Sequence, residues 1–283
     1  GFVQSGNVIN LMENSFGGIQ CEIHLTPDSN AIFGTNGTNT GITDAHYRLS
    51  NLSLTCEVND IAPEDVGKMS NDTSGEMEFM AITSLYTSIN STNAQLQYSL
   101  GLKSLQSVFM NFCPSSHLNT LTENGMALTL PSNLDDTLGS FTRIQLLRGG
   151  VKYPQEFDVV PNNKNNASTA VVDPQLAKMF LQAVLPESRD VKSSLSSMNN
   201  NRNYVLDSDS AADHPYTQVP DGGVLYSLAC RYSQYNSGQD FSTQQWGISL
   251  DSDLTTDNPI SVFLYFKAKT RLVWNANGVQ LLS

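Results

Sequence analysis

Ile260-Ser261-Val262-Phe263-Leu264-Tyr265-Phe266-Lys267-Ala268-Lys269 is the stretch whose reading decides the fold. Val262, Leu264, Phe266 and Ala268 fall on one side of an extended chain, and Phe263, Tyr265, Lys267 and Lys269 on the other. That is the period of two expected of a strand, in a run rich in β-branched and aromatic residues and free of Gly and Pro. Both sides are apolar near the start, so the strand is expected between two layers or at a subunit contact. Just downstream, Asn277-Gly278 separates residues 271–275 from residues 279–282, which predicts a closing hairpin.

Working back from this strand, further strands are expected at residues 245–250, 224–232, 141–147, 127–130 and 107–112, with Leu96, Tyr98, Leu100 and Leu102 alternating before them. Residues 78–90 have a mixed pattern. Pro131-Ser132-Asn133, Asp135-Asp136 and Gly139 supply turn residues. Asp173-Pro174 opens the one clear helix, an N-cap followed by Pro at the first helical position, over about residues 173–185. Leu176, Met179, Phe180, Ala183 and Val184 form its apolar stripe. Residues 188–215 are polar and read as a long excursion.

Near the N-terminus, Ile19, Cys21, Ile23 and Leu25 alternate with polar residues, and Leu52, Leu54, Cys56 and Val58 share a face of the run 47–58. Each predicts a half-buried strand. The Gly/Thr/Asn-rich residues 34–43 between them are a candidate linker, and residues 60–69 a short helix. Eight to ten strands at irregular spacing with a single helix predict a mainly β chain, a jelly-roll β-sandwich with long excursion loops.

Composition agrees. The 283 residues are 39% hydrophobic and only 15% charged, leaving too few Lys, Glu and Ala for long amphipathic helices. The net charge of −12 disfavours direct contact with nucleic acid. No run of 18 apolar residues predicts a membrane span, and no basic segment precedes an apolar one as in a signal peptide. The chain starts at Gly1 and its first Met is Met12, as expected of a processed or partial product. Cys21, Cys56, Cys113 and Cys230 lie far apart and lack CxxC spacing, so reduced, mostly buried thiols are expected. Cys21 with His24 and Cys113 with His117 have spacings that arise readily by chance, and no metal site or cofactor is expected from them.

Catalytic signatures are weak. No Ser lies in a Gly-x-Ser-x-Gly context, and His214 sits in a polar loop. Asp135-Asp136, Asp207/Asp209 and Asp251/Asp253 match neither an EF-hand nor a convincing glycosidase pair, and read as solvated turns. Gly149-Gly150 lacks the Gly-Lys-Ser/Thr of a phosphate loop and reads as a turn. Sequons at Asn36, Asn51, Asn71, Asn90 and Asn166 arise by chance in so Asn/Ser/Thr-rich a chain. Trp246 and Trp274 suit sugar stacking, but core or interface burial is the commoner use. A non-enzymatic chain is expected.

Three stretches carry a resemblance: Gly17-Gly18-Ile19-Gln20-Cys21-Glu22-Ile23-His24-Leu25-Thr26-Pro27, Tyr47-Arg48-Leu49-Ser50-Asn51-Leu52-Ser53-Leu54-Thr55-Cys56-Glu57-Val58, and Gly149-Gly150-Val151-Lys152-Tyr153-Pro154-Gln155. Together with Gly247-Ile248-Ser249-Leu250-Asp251 and the closing hairpin, the chain over residues 17–283 resembles the major capsid proteins of the double-jelly-roll lineage, as in polinton-like viruses and virophages. The resemblance implies residues 1–46 as the end of a preceding jelly roll or an N-terminal extension, and 47–283 as the C-terminal jelly roll. It also implies a virion subunit that trimerises and tiles an icosahedral shell beside other capsid proteins such as a penton. Phe263, Tyr265 and Trp274 are the candidate interface anchors, because aromatic side chains dominate contact energetics. The competing class is a carbohydrate- or receptor-binding β-sandwich such as a viral spike or lectin.

Overall fold

The computed structural model describes residues 22–31, 44–53, 62–65, 74–119, 121, 141–153, 158–159, 178–179, 182–183, 228–233, 237–252, 259–275 and 278–282. Among these, nine strands follow in order: β1 (Gly75–Ile89), β2 (Asn93–Tyr98), β3 (Leu105–Pro114), β4 (Phe141–Arg148), β5 (Val151–Lys152), β6 (Leu228–Arg231), β7 (Trp246–Ser252), β8 (Ile260–Asn275) and β9 (Gly278–Leu282). They make two antiparallel sheets, β1-β8-β3-β6 with β9 also on β8, and β2-β7-β4-β5.

The pairing has a simple logic. β1 pairs with β8, β2 with β7, β3 with β6 and β4 with β5, so the labels of each pair sum to nine. Such pairs arise when a long antiparallel ribbon, folded at the β4–β5 turn, is rolled into two layers. The wrap is closed by β8 on β3 and β7 on β4. This is a jelly-roll sandwich, as the strand spacing predicts. The ribbon's turn needs its glycines: Arg148 pairs with Val151, and the two residues between them, Gly149 and Gly150, have φ of 55° and 83°. Two left-handed positions in a two-residue hairpin favour Gly at both.

The quoted run lies at the centre of the larger sheet. Ile260, Val262, Leu264, Phe266 and Ala268 are all buried and meet Ile144, Leu146, Trp246, Ile248 and Leu250 of the second sheet in one core. Phe112 packs edge-on against Phe141 at 4.9 Å, and Trp246 against Phe266 at 4.9 Å, joining the layers. Rather than ending before the closing hairpin, β8 runs unbroken to Asn275, and its pairing with β9 begins at Asn275 and Gly278. Lys178, Met179, Gln182 and Ala183 are helical, with Met179 and Ala183 buried on the expected stripe; the rest of the 173–185 helix lies outside the described residues. So do the expected strand at 127–130, the linker at 34–43 and the excursion at 188–215.

The N-terminal expectations need correction. Glu22 to Pro27 and Asp44 to Ser53 join no described ladder, and Ile23, Leu25, Leu49 and Leu52 are 47–67% exposed. Alternation specifies a strand only where a sheet edge offers hydrogen bonds and a core. Among the described residues the two rolled layers are built from β1 to β8, without these segments. The first described strand begins at Gly75, and residues 19–21 and 54–58 of the two expected strands lie outside the described residues. Within this region Pro63 to Asp65 is helical, inside the short helix expected there.

Candidate assembly face

Phe263, Tyr265 and Trp274 all lie on β8, but not on one face. Tyr86, Phe263 and Asn111 align across β1, β8 and β3, and Ser84, Tyr265 and Phe109 form the next row. These rows point away from the core, because the alternate positions Leu264, Phe266, Val108 and Met110 are buried in it. Tyr86 and Phe263 stack at 5.1 Å with rings tilted by 47°, and Tyr86 is 58% exposed. Ile82, directly opposite Lys267, is 60% exposed. Phe109, Phe263 and Tyr265 are half-buried, so the patch is a shallow aromatic surface. Its upper end is polar, where the Ser261 hydroxyl lies 3.2 Å from Tyr86 Oη and 2.7 Å from Ser115 Oγ.

Trp274 belongs to the alternate side of the strand. Its ring lies over Gly75 of β1, where an added Cβ would come within 2.3 Å of it. The absent side chain of Gly75 is what lets the indole settle on the neighbouring strand. Exposure is thus concentrated at Tyr86 and Ile82, two residues the sequence reading did not single out. Their strand alternates poorly, because β1 pairs with β8 on one side only among the described residues and carries Glu76, Glu78 and Ser84 beside its apolar positions.

The residues weighed for other chemistry have structural placements. Trp246 is wholly buried and donates its indole N–H to Tyr232 Oη at 2.8 Å, so it offers no sugar platform. Asp251 accepts from Arg143 Nε at 2.6 Å on the outer side of the second sheet. Cys113 and Cys230 are free and buried; burial pushes the Cys113 thiol up to about 11 and the Cys230 thiol higher still. Cys21, Cys56, His117's side chain, His214, Asp135, Asp136, Asp207, Asp209 and Asp253 lie outside the described residues. Among the described residues no group of three or more His, Cys, Asp or Glu is placed to hold a metal, and no helix is long and apolar enough to cross a membrane.

No protein-family model matches the chain, and no curated protein matches it. Among solved structures it is similar to the PBCV-1 virus capsid, with a TM-score of 0.39 and 10% identity over 79% of this chain and 55% of that one. A PBCV-1 capsid protein fitted into a reconstruction of the virophage Sputnik gives 0.36 and 9%, with the same coverage of 79% and 55%. The Faustovirus major capsid protein gives 0.38 and 10% over 76% of this chain and 36% of that one. The chain therefore spans about half the length of the PBCV-1 chain, at 55%, and about a third of the Faustovirus chain, at 36%.

Proposed function

We propose that this chain is a structural, non-enzymatic subunit of a virion shell that associates with copies of itself, as trimers tiling an icosahedral capsid, beside other capsid proteins such as a penton. The observation that carries the reading is the rolled pairing of β1 to β8 among the described residues, with an aromatic patch on its outer side. Shell building needs repeated contact surfaces, and half-buried aromatics beside hydrogen-bonding Ser and Asn suit a contact that opens and closes during assembly. The resemblance of residues 17–283 to double-jelly-roll capsid proteins supports the same assignment. The exposed alternating residues Ile23 and Leu25 support reading residues 1–46 as the end of a preceding jelly roll or an N-terminal extension. The burial of Trp246 removes a main argument for a carbohydrate-binding module.

Mass photometry and negative-stain microscopy of the purified chain test the proposal. Trimers of about three times 30.9 kDa, or arrays and shells, are expected, and replacing Phe263, Tyr265 and Trp274 together with Ala should shift the population to monomers. A wild-type chain that stays monomeric at high concentration would sink the proposal. Assembly that survives the triple substitution would remove these residues from the contact.

A further inference from the structure

The larger sheet stops at β1 among the described residues, with β8 on one side of that strand and no ladder on the other. Residues 79–89 of β1 include no charged residue, no Gly and no Pro. Edge strands are normally kept from pairing with other chains by a charge, a Pro, a bulge or a cover, yet the β1–β8 register runs from Gly75 to Ile89 without a bulge. Exposure peaks in the middle of the run. Ile82 and Tyr86 are 60% and 58% exposed, and Thr83 and Ser84 between them are exposed, while Ile89 is buried.

The hydrogen-bond pattern shows which backbone groups this edge presents. Lys269 donates its N–H at 3.0 Å to the Ser104 carbonyl, which lies on the β3 side of β8. Successive residues of an antiparallel strand bond to opposite sides, so odd-numbered β8 residues bond toward β3 and even-numbered ones toward β1. Ala268, Phe266 and Leu264 therefore exchange bonds with their register partners Ala81, Thr83 and Leu85. The N–H and C=O of Ile82, Ser84 and Tyr86 point the other way, out of the sheet, and no other backbone group meets them among the described residues.

We infer that this edge pairs with the same edge of a second copy, antiparallel, about a two-fold axis at Ser84. The inference rests on the self-assembly reading and specifies one of its contacts. The second copy is the fitting occupant because the run is complementary to itself: Ser84 is the midpoint of residues 79–89, so this register overlays the whole uncharged run. Even-numbered residues then meet even-numbered ones, the outward groups face each other, and about ten backbone hydrogen bonds close. Exposed Ile82 comes opposite exposed Tyr86 of the second copy, and Tyr86 opposite its Ile82, a favoured pairing of β-branched with aromatic side chains. Glu76 and Glu78 fall beyond the overlap, whereas sliding the register toward Gly75 draws the carboxylates of the two copies together in a chain already at −12. Such a contact is isologous, so it joins copies in pairs and, in a shell of trimers, links one trimer to the next.

Sedimentation velocity of the full chain over a range of concentrations tests this, with circular dichroism as the check on folding. Ser84→Pro removes an outward N–H and leaves the ladder to β8 intact; it should weaken association about 10-fold or more, as should Ile82→Lys, which places a charge on the edge and serves if the Pro variant does not fold. Ser84→Cys should cross-link copy to copy under copper-phenanthroline oxidation, because Cα atoms of a hydrogen-bonded antiparallel pair stand about 5.5 Å apart, within disulfide reach. Ser88→Cys on the same face should not, since the two copies of that position are about 27 Å apart, and the wild type controls for the chain's own thiols. Edge variants that associate like wild type, with Ser84→Cys cross-linking no faster than Ser88→Cys, overturn the inference and leave the assembly reading standing. Weakened association without selective cross-linking at Ser84 means that the edge meets another segment, and it overturns the two-fold pairing. A wild-type chain that never self-associates overturns both.

Discussion

Replacing Tyr232 with Phe should destabilise the sandwich out of proportion to the single oxygen removed. Tyr232 follows β6 of the larger sheet and Trp246 opens β7 of the other, and the 2.8 Å bond from the indole N–H to Tyr232 Oη is a buried polar link between the layers. Trp246 is held edge-on by Phe266 at 4.9 Å and stacked by Tyr98 at 6.3 Å, so it cannot swing to find another acceptor. Tyr232→Phe leaves that N–H buried and unpaired, at a cost of about 1–3 kcal/mol. At about 2–4 °C per kcal/mol for a domain of this size, a loss of about 2 kcal/mol lowers Tm by about 4–8 °C. Trp246→Ala removes the ring as well and should cost about 3–5 kcal/mol, from lost transfer energy and the cavity left between the sheets. The diagnostic variant is Tyr232→Phe combined with Trp246→Phe, which deletes donor and acceptor together. Its cost should fall short of the sum of the Tyr232→Phe and Trp246→Phe single effects by about 1 kcal/mol, the coupling expected of residues in contact. Guanidinium unfolding followed by far-ultraviolet circular dichroism measures the double variant and each single variant without relying on the tryptophan signal. Strict additivity, or a Tyr232→Phe chain as stable as wild type, would show that the link contributes nothing and that apolar packing alone joins the layers.

Gly150→Val should lower stability by about 1–2 kcal/mol in thermal melting, because φ of 83° places a β-branched residue in the left-handed region. Cys113 and Cys230 should resist thiol reagents at pH 8 in the folded chain and react on unfolding, since burial holds both thiols protonated; fast native labelling at either would contradict their placement. His46 should titrate above the ordinary 6.5, with its side-chain bond to Asp28 the main cause and Asp44 adding to it. Its Nδ1 lies 2.8 Å from Asp28 and its Nε2 3.0 Å from Asp44, and two carboxylates can both be satisfied only by the imidazolium. The tie between these segments is therefore full below the unfolded value and lost as pH rises through the raised one. Nuclear magnetic resonance titration should show the His46 midpoint falling in Asp28→Asn, and an unmoved midpoint would refute the pairing.

How much of this was legible in the chain varies with what each element needs. β8 was readable because its inner residues meet a core at every second position and no Gly or Pro interrupts them. The Gly149-Gly150 turn was readable because only Gly is comfortable at both of its backbone angles. β1 was recognised only as mixed, since a strand that is at the sheet's edge among the described residues mixes exposed apolar side chains such as Ile82 with charges that serve solubility. The run at Ile23 and Leu25 misled for the opposite reason: its period is that of a strand, but period specifies only which faces would differ if a sheet were there. The row of Tyr86, Phe263 and Asn111 could not be seen at all, because it depends on a pairing register across three strands distant in sequence.

The two outer sides of the sandwich treat their polar groups differently, and the contrast bears on which one would serve the proposed self-contact. On the smaller sheet, Arg143 pairs with Asp251, while Asp158 accepts from Lys152 at 2.7 Å and from Gln145 at 2.6 Å. Those groups satisfy one another and water. Exposed pairs of this kind add little to stability, but they leave no partner wanting and discourage apolar docking. The larger sheet does the reverse, with aromatic rings half-buried and the polar atoms of Ser107 and Asn111 lacking partners among the described residues. Neutralising the first network by Arg143→Gln with Asp251→Asn should therefore leave the oligomer distribution in sedimentation unchanged, while Phe263→Ala with Tyr265→Ala shifts it to monomers. An oligomer that falls apart in the first variant and persists in the second would place the contact on the smaller sheet and reverse the assignment of faces.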